Sequence, residues 1–556
     1  MKIFNKEKIR VYLPLIISLT MIIGIILGNL FAGLRVKSII SSEISKHSLN
    51  NRTGFGVAQG LQLAPKNDKI SSALYYVLND YVDTVSVGEI NEDVIPAILG
   101  NLDPHSVYIP AKEFQKYNEP LTGNFSGIGV QFNMTDDSVA IISTVPNGPS
   151  EIVGIMAGDR IIAVDDSVVA GVNMPSDDIV AMLKGKKGTS VRVKVFRRGE
   201  EQAIDFDIIR DDIPLYSVDV HYMIDDEIGY IKISQFAQTT YREFLTAAEE
   251  LKAQGMKKVI LDLRGNGGGI MEAAIKIADQ FLHDGRLIVY TEGRSRPRRN
   301  EYATSKGVLK DDYVIILQDE LSASASEILA GALQDNDRGM IIGRRSFGKG
   351  LVQEQMKFGD GSALRLTVAK YFTPTGRSIQ KPYSGDREDY YLDLNNRFIH
   401  GEFENADSIQ FSDSLKFVTP GGKIVYGGGG IMPDIFVPVD TVGITNYYNK
   451  VRALGLIYRF AFNYTDKNRE AMNGLNKAED ISAYLDDQNL KADFIAYATS
   501  KGVQPNYNQF RESEEVILTQ IKAYIGRNMI DNIGFYPIIK TIDSTLEVAI
   551  DTLSSI

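Results

Sequence analysis

Cysteine is absent from the 556 residues, and histidine occurs only 5 times. The first absence excludes disulfides, thiolate metal sites, iron–sulfur clusters and a cysteine nucleophile. The second argues against mechanisms that need several histidine ligands, and neither a metal nor a cofactor is expected. A block of clustered basic residues is also missing. Lys and Arg total 60 against 71 Asp and Glu, for a net charge of −11. Such a chain is poorly suited to neutralise phosphates, so no nucleic-acid partner is expected. Beyond the N-terminus no apolar run approaches the roughly 18 residues of a membrane span, which excludes a polytopic membrane protein. Internal repeats and low-complexity tracts are absent too. What is present is the composition of a folded protein, 44% hydrophobic and 24% charged. At roughly 150 residues per domain, the length corresponds to about three to four domains.

The N-terminus differs from the rest. Lys2, Lys6, Lys8 and Arg10 precede a segment, Val11 to Leu34, without a charged residue. As a helix it would span about 36 Å at ~1.5 Å per residue, enough for a ~30 Å hydrocarbon core. The basic flank favours a cytoplasmic N-terminus, with everything after Arg35 outside the cytoplasm. The expectation is an uncleaved anchor in the inner (cytoplasmic) membrane of a cell envelope. A cleaved signal peptide usually has a shorter apolar core and a small-x-small cleavage site, which is not evident here.

Periodicity divides the remainder. Residues 36–69 are polar and read as a linker, and 70–117 carry a helical pattern. Within 118–212, a loop over 118–126 leads into short strands with turns and one helix, SDDIVAMLKG. From 213 to 440 strands and helices alternate, an α/β pattern, interrupted by an acidic, aromatic insertion at about 381–420. Residues 441–556 are mostly helical.

Three motifs bear on chemistry. Gly343 to Lys349 fits G-x-x-x-x-G-K, but Gly350 stands where a phosphate loop needs the Ser or Thr that holds Mg²⁺, and a strand pattern follows. Gly265-Asn266-Gly267-Gly268-Gly269 follows the buried strand VILDL without the dinucleotide spacing. It is left as a glycine-rich turn able to offer backbone N–H groups to an anion. Ser322, Ser324 and Ser326 open a helix after the strand YVIILQ. Any of them could be a helix cap, or a nucleophile exposed at a strand-to-helix turn. A base would have to be a desolvated lysine, for which Lys349 among Gly348, Gly350, Leu351 and Val352 is the candidate, or one of His283 and His400.

The stretches LDLRGNGGG (261–269), SASASEILAGALQD (322–335), SFGKGLVQ (346–353) and TPTGRSIQ (373–380), with NLDPHSVYIPAKEFQ upstream, resemble the carboxyl-terminal processing proteases in motif and order. The resemblance covers about residues 70–440. It implies a crotonase/Clp-like α/β serine protease core in a multidomain α/β chain. Ser324 would be the nucleophile and Lys349, 25 residues on, the base, with Gln353 orienting Lys349. The oxyanion hole would use the N–H of Ala325 and a glycine of the turn, Gly268 in preference to Gly269. The β-rich module resembles a PDZ domain through SGIGVQF (126–132) and AGDRIIAVDD (157–166). By that resemblance Gly127, Ile128, Gly129 and Val130 would hold a substrate's terminal carboxylate and pair with its backbone. Ile179, Met182 and Leu183 would line the pocket for its last side chain. The implied activity is a membrane-anchored endopeptidase acting on protein or peptide substrates with free C-termini. The alternative is a catalytically inactive, membrane-tethered PDZ scaffold. The insertion departs from the family pattern. Residues 441–556 match nothing in it and are assigned to dimerisation, giving a homodimer, or to substrate gating.

Overall fold

The structure, a computed structural model, describes residues 68–135, 137–383, 387–409 and 412–556. The expected membrane anchor, 1–35, lies outside these residues. Among the described residues no helix is long and apolar enough to cross a membrane. The chain divides after Ser86. In the first unit the described residues form one helix, Lys69–Asp80, whose N-cap Asp68 accepts the N–H groups of Ile70 and Ser71. The second unit runs from Val87 to Ile556.

Within that unit, the β-rich module is a sheet of Val130–Thr135, Ser138–Thr144, Arg160–Val164, Ser190–Phe196 and Ile204–Ile209, covered by the helix Ser176–Leu183. Strict alternation in SVRVKVF buries Val191, Val193 and Val195 and leaves Arg192 and Lys194 outside. A short antiparallel ribbon, Asn124–Gly127 against Asp211–Pro214, joins the module to its neighbour. The loop expected over 118–126 is corrected. The helix Phe114–Thr122 runs through Pro120 and stops at Gly123, whose left-handed φ of 75° lets its N–H reach the Glu119 carbonyl.

The α/β part is a six-stranded sheet in chain order: β1 (Val218–Met223), β2 (Ile228–Ile233), β3 (Lys258–Asp262), β4 (Tyr313–Gln318), β5 (Met340–Gly343) and β6 (Ile435–Phe436). β1 is antiparallel to β2 and the rest are parallel. Both faces are apolar because both are covered. Ile231, Ile233, Val259, Leu261, Val314, Ile316 and Ile341 pack against α1 (Thr240–Ala253), α2 (Met271–Phe281) and α3 (Ala325–Asp335). The intervening Tyr230, Ile260, Ile315, Leu317 and Ile342 pack against Leu546, Ala549 and Leu553 of the last helix, α4 (Ser544–Ser554). Each such side chain contributes about 1.5–3 kcal/mol when fully buried.

A second, antiparallel sheet carries Val107–Ile109, Ala363–Phe372, Leu287–Gly293 and Arg296–Tyr302 in that order, with Leu351–Lys357 also paired to Ala363–Phe372. The insertion is ordered over the described residues as a helix, Arg387–Ile399, and a small hairpin, Lys416–Val418 with Ile424–Tyr426. The last helix of 441–556, α4, forms one face of the central core. Its N-cap Asp543 accepts from both terminal nitrogens of Arg264, at 2.8 and 2.7 Å, and so fastens the C-terminal end to the glycine-rich turn.

The motif TPTGRSIQ serves the C-terminal end of α3. Arg377 and Asp335 are both fully buried and meet at 2.7 Å, with Gln334 Oε1 and the Tyr426 carbonyl taking further guanidinium N–H groups. Removing one member of a buried pair strands the other charge, which costs about 3–5 kcal/mol. Arg377→Ala is expected to lose stability in that range in urea denaturation. A loss below about 1 kcal/mol would show that Asp335 finds another partner.

Candidate active site

The strand β4 ends at Gln318, and the chain turns sharply into α3. Ser324 stands at that turn with φ 56° and ψ −111°, a positive φ that a non-glycine residue rarely adopts and that stores on the order of 1–3 kcal/mol. Its neighbours are committed elsewhere. Ser322 Oγ donates to the Leu263 carbonyl and Ser326 Oγ to the Asn266 carbonyl, both at 2.9 Å, and both side chains are buried. Ser324 alone of the three lines a cleft of about 570 Å³, shared with Gly267, Gly268, Gly269, Lys349, Gln353, Arg365 and Tyr371. Ser324 and Lys349 both line this cleft, with no direct hydrogen bond between Oγ and Nζ.

Lys349 is largely buried. Burial, followed by the nearby Arg365 guanidinium, lowers its pKa from the ordinary lysine value. Its ammonium nitrogen lies 3.4 Å from Gln353 Oε1, and Gln353 Nε2 donates to the His105 carbonyl. That second bond fixes the amide so that its oxygen faces the lysine. His105 is in turn seated by Tyr390 of the insertion, with Nε2 and the phenol oxygen 2.6 Å apart. Burial, then the charge of Lys349, holds its imidazole at a pKa of about 4, so it stays neutral. The alternative bases are elsewhere: His283 and His400 are exposed and do not line this cleft.

The glycine-rich turn is packed against Ser324. A Cβ on Gly268 would lie 2.7 Å from the Ser324 Cβ, and one on Gly269 2.1 Å from the Phe236 carbonyl oxygen. The preference for Gly268 as oxyanion donor is corrected. Its N–H already donates to Asn266 Oδ1 at 2.8 Å. The N–H groups of Gly269 and Ala325 have no acceptor among the described residues.

Two residues that the sequence did not single out bring Ser324 and Lys349 together. Glu327 is fully buried, and its carboxylate accepts from the Ser324 N–H at 2.8 Å, the Lys349 N–H at 2.9 Å, the Gly348 N–H at 2.7 Å and the Ser346 hydroxyl at 2.5 Å. Burial pushes its carboxyl up, against the pull of these donors. The signal was available, since Ser324-Ala-Ser-Glu327 is a capping-box pattern. The buried Tyr371 hydroxyl lies 3.1 Å from the Ser324 carbonyl and 2.9 Å from that of Lys349. Nothing in its local sequence sets it apart. Behind the base, Arg397 of the insertion donates to the carbonyls of Arg345 and Ser346.

In the β-rich module, Gly127, Ile128, Gly129 and Val130 line a groove of about 160 Å³ with Phe125, Phe132, Val180, Leu183 and Lys184. Ile179 and Met182 do not line it, a correction that follows from the helix phase. Ile179 is fully buried and Met182 packs against the same core, while Val180, Leu183 and Lys184 repeat at i, i+3, i+4 along the groove. Lys184 pairs with Glu119 on the helix Phe114–Thr122, whose Asn118, Leu121 and Thr122 line the cleft beside Ser324.

The family profile for peptidase family S41 matches residues 227–390, a PDZ domain profile matches 126–208, and one for a family of unknown function matches 447–531. The carboxy-terminal processing protease CtpA of Bacillus subtilis (strain 168) is 32% identical over 384 residues, 67% of this chain and 81% of that protein. A carboxy-terminal-processing protease of Bartonella bacilliformis is 35% identical over 309 residues, 55% of this chain and 70% of its own. A probable CtpA-like serine protease of Staphylococcus epidermidis is 35% identical over 312 residues, 55% of this chain and 62% of its own.

Glu327→Gln tests the shared carboxylate. An amide turns one acceptor oxygen into a donor facing N–H and O–H donors, and each hydrogen bond to a charged group is worth about 1.5–3 kcal/mol. The expected result is a loss of at least about 100-fold in kcat with a lowered Tm, followed by peptidase assay and thermal melting. Turnover within about twofold of the parent would contradict the assignment.

Proposed function

The chain belongs to the carboxy-terminal processing proteases, serine peptidases of family S41, and from that premise we propose that it cuts protein chains with a Ser324–Lys349 dyad after docking their C-termini in the PDZ module. The observation that carries this reading is the meeting of a serine on a strained strand-to-helix turn with a partly buried lysine in one cleft whose lining contains no carboxylate. A lysine is a useful base near neutrality only when its pKa falls, and burial acts in that direction on Lys349.

In the proposed sequence, neutral Lys349 takes the Ser324 hydroxyl proton as Oγ attacks the scissile carbonyl carbon. The oxyanion forms against the N–H groups of Ala325 and Gly269, the latter kept open because Asn266 occupies Gly268 instead. The Lys349 ammonium returns its proton to the leaving amine, giving an ester at Ser324. Lys349 then deprotonates a water that attacks this ester and restores the serine. Gln353 orients Lys349, and His105 orients Gln353.

Substrate selection is proposed to start at the groove beside Gly127–Val130. Gly129 adopts φ 74°, and an accessible backbone there suits capture of a carboxylate by N–H groups. The uncharged segment Val11–Leu34 supports an anchor that leaves the catalytic part outside the cytoplasm.

Ser324→Ala is expected to abolish cleavage of a tailed unfolded protein while leaving its melting within about 2 kcal/mol of the parent. Lys349→Arg should be as inactive as Lys349→Ala, because a guanidinium does not deprotonate in a protein. Near-normal turnover by Lys349→Arg would exclude Lys349 as base.

A second assay compares one substrate with a free and an amidated C-terminus. The free tail should be cut faster, and Ile128→Asp should erase the difference. Equal rates for both tails would remove the groove as a reader.

A further inference from the structure

The active-site cleft holds one charged group that the dyad chemistry leaves unused. Its lining includes two cations, Lys349 and Arg365, and neither Asp nor Glu. If Lys349 works as a neutral base, Arg365 is the standing charge of the cleft. The guanidinium is partly buried and donates from Nη2 to Gln355 Oε1 at 3.1 Å. No ion pair with a carboxylate occurs for it among the described residues, and its electrostatic neighbour is the Tyr117 phenol rather than an Asp or Glu. Buried and partly buried arginines elsewhere in the fold are held by carboxylates or by several backbone carbonyls, as Arg338 is by those of Phe281, Leu309 and Asp312, whereas Arg365 has one neutral amide. Arg264 meets Asp262 and Asp543, Arg377 meets Asp335, and Arg397 meets Glu402. A partly desolvated cation without a counter-ion is unfavourable, and here it persists in a chain of net charge −11 with acid to spare.

Register places this charge relative to the chemistry. Arg365 lies directly opposite Gln355 across the antiparallel pair of strands, and Gln353 lies opposite Thr367. Gln353 and Gln355 are two apart, so both project to the same face, about 7 Å from each other along the strand. Gln353 touches Lys349 Nζ. An extended substrate advances about 3.3 Å per residue, so Arg365 stands roughly two substrate residues from the dyad. A guanidinium presents five N–H donors in a planar fork that matches a carboxylate in two parallel bonds.

We propose that Arg365 is a specificity subsite that takes a carboxylate carried by the substrate about two residues from the scissile bond. The carboxylate is either an Asp or Glu side chain or the terminus of a short tail. This rests on the reading of Ser324 and Lys349 as the reacting pair, because it measures distance from them.

The test uses the full-length enzyme and two peptide series. In the first, Asp is compared with Asn at each of the three positions on either side of the cut, with the C-terminal tail held constant. In the second, peptides end one to four residues beyond the cut, with a free or an amidated terminus. In each series the readout is the ratio of kcat/KM for acid over amide, taken within one enzyme variant. The parent enzyme should show a ratio of at least about tenfold at one or two adjacent positions, the size of a charge-assisted hydrogen bond. Arg365→Gln should bring that ratio to about one, and Arg365→Lys should retain part of it. A ratio confined to the Asp series identifies a side chain as the ligand, and one confined to the free-terminus series identifies the chain end. Ratios near one in both series for the parent, or a ratio that survives in Arg365→Gln, would overturn the subsite. If the parent cuts none of the peptides and no tailed protein, the dyad reading itself fails and the subsite falls with it.

Discussion

One buried carboxylate holds the catalytic geometry together. Glu327 sits in the first turn of α3 and accepts hydrogen bonds from the backbone N–H groups of Ser324, Gly348 and Lys349 and from the Ser346 hydroxyl. Ser324 and Lys349, the proposed nucleophile and base, come from segments separated by 25 residues and a parallel strand, so nothing local fixes their spacing. The carboxylate supplies that constraint at the level of the backbone and leaves both side chains free for chemistry. It also binds the N–H of Ser324, whose φ is positive.

The rest of the fold holds α3 and the glycine-rich turn against each other. Asp335 and Arg377 pin the far end of α3. Arg264, between Asp262 and Asp543, ties the turn to the last helix of the chain. Tyr371 repeats the role of Glu327 from the second sheet, bridging the carbonyls of Ser324 and Lys349. The insertion joins the same scaffold from outside through Tyr390 on His105 and Arg397 on the Arg345–Ser346 carbonyls. A segment that breaks the motif order in sequence therefore forms the rear wall of the base in space.

Much of this was legible because it is written in local pattern. The alternating and continuous apolar runs mark the PDZ strands and the doubly covered sheet, and four ordered motifs bring the dyad and the turn into view. What sequence missed depends on phase and on partners distant in the chain. Ile179 and Val180 are neighbours of similar apolarity, and only the packed helix shows that the second faces the groove. Gly268 and Gly269 are equivalent as glycines, and only the position of the Asn266 side chain decides which N–H is open. Glu327 reads as an ordinary cap because its Ser346 and Gly348 partners lie some 20 residues on. Arg365 reads as one charge on an alternating strand until the acid-free lining around it is seen.

The account turns on Lys349 being neutral when substrate arrives. The most direct measurement is a ¹⁵N NMR titration of the Lys349 Nζ in the Ser324→Ala protein, which removes turnover while keeping the cleft. A midpoint below the ~10.4 of an ordinary lysine is predicted, because burial and the Arg365 charge both disfavour the ammonium. A midpoint at or above ~10.4 would leave Lys349 charged throughout the working range and would contradict its role as the base.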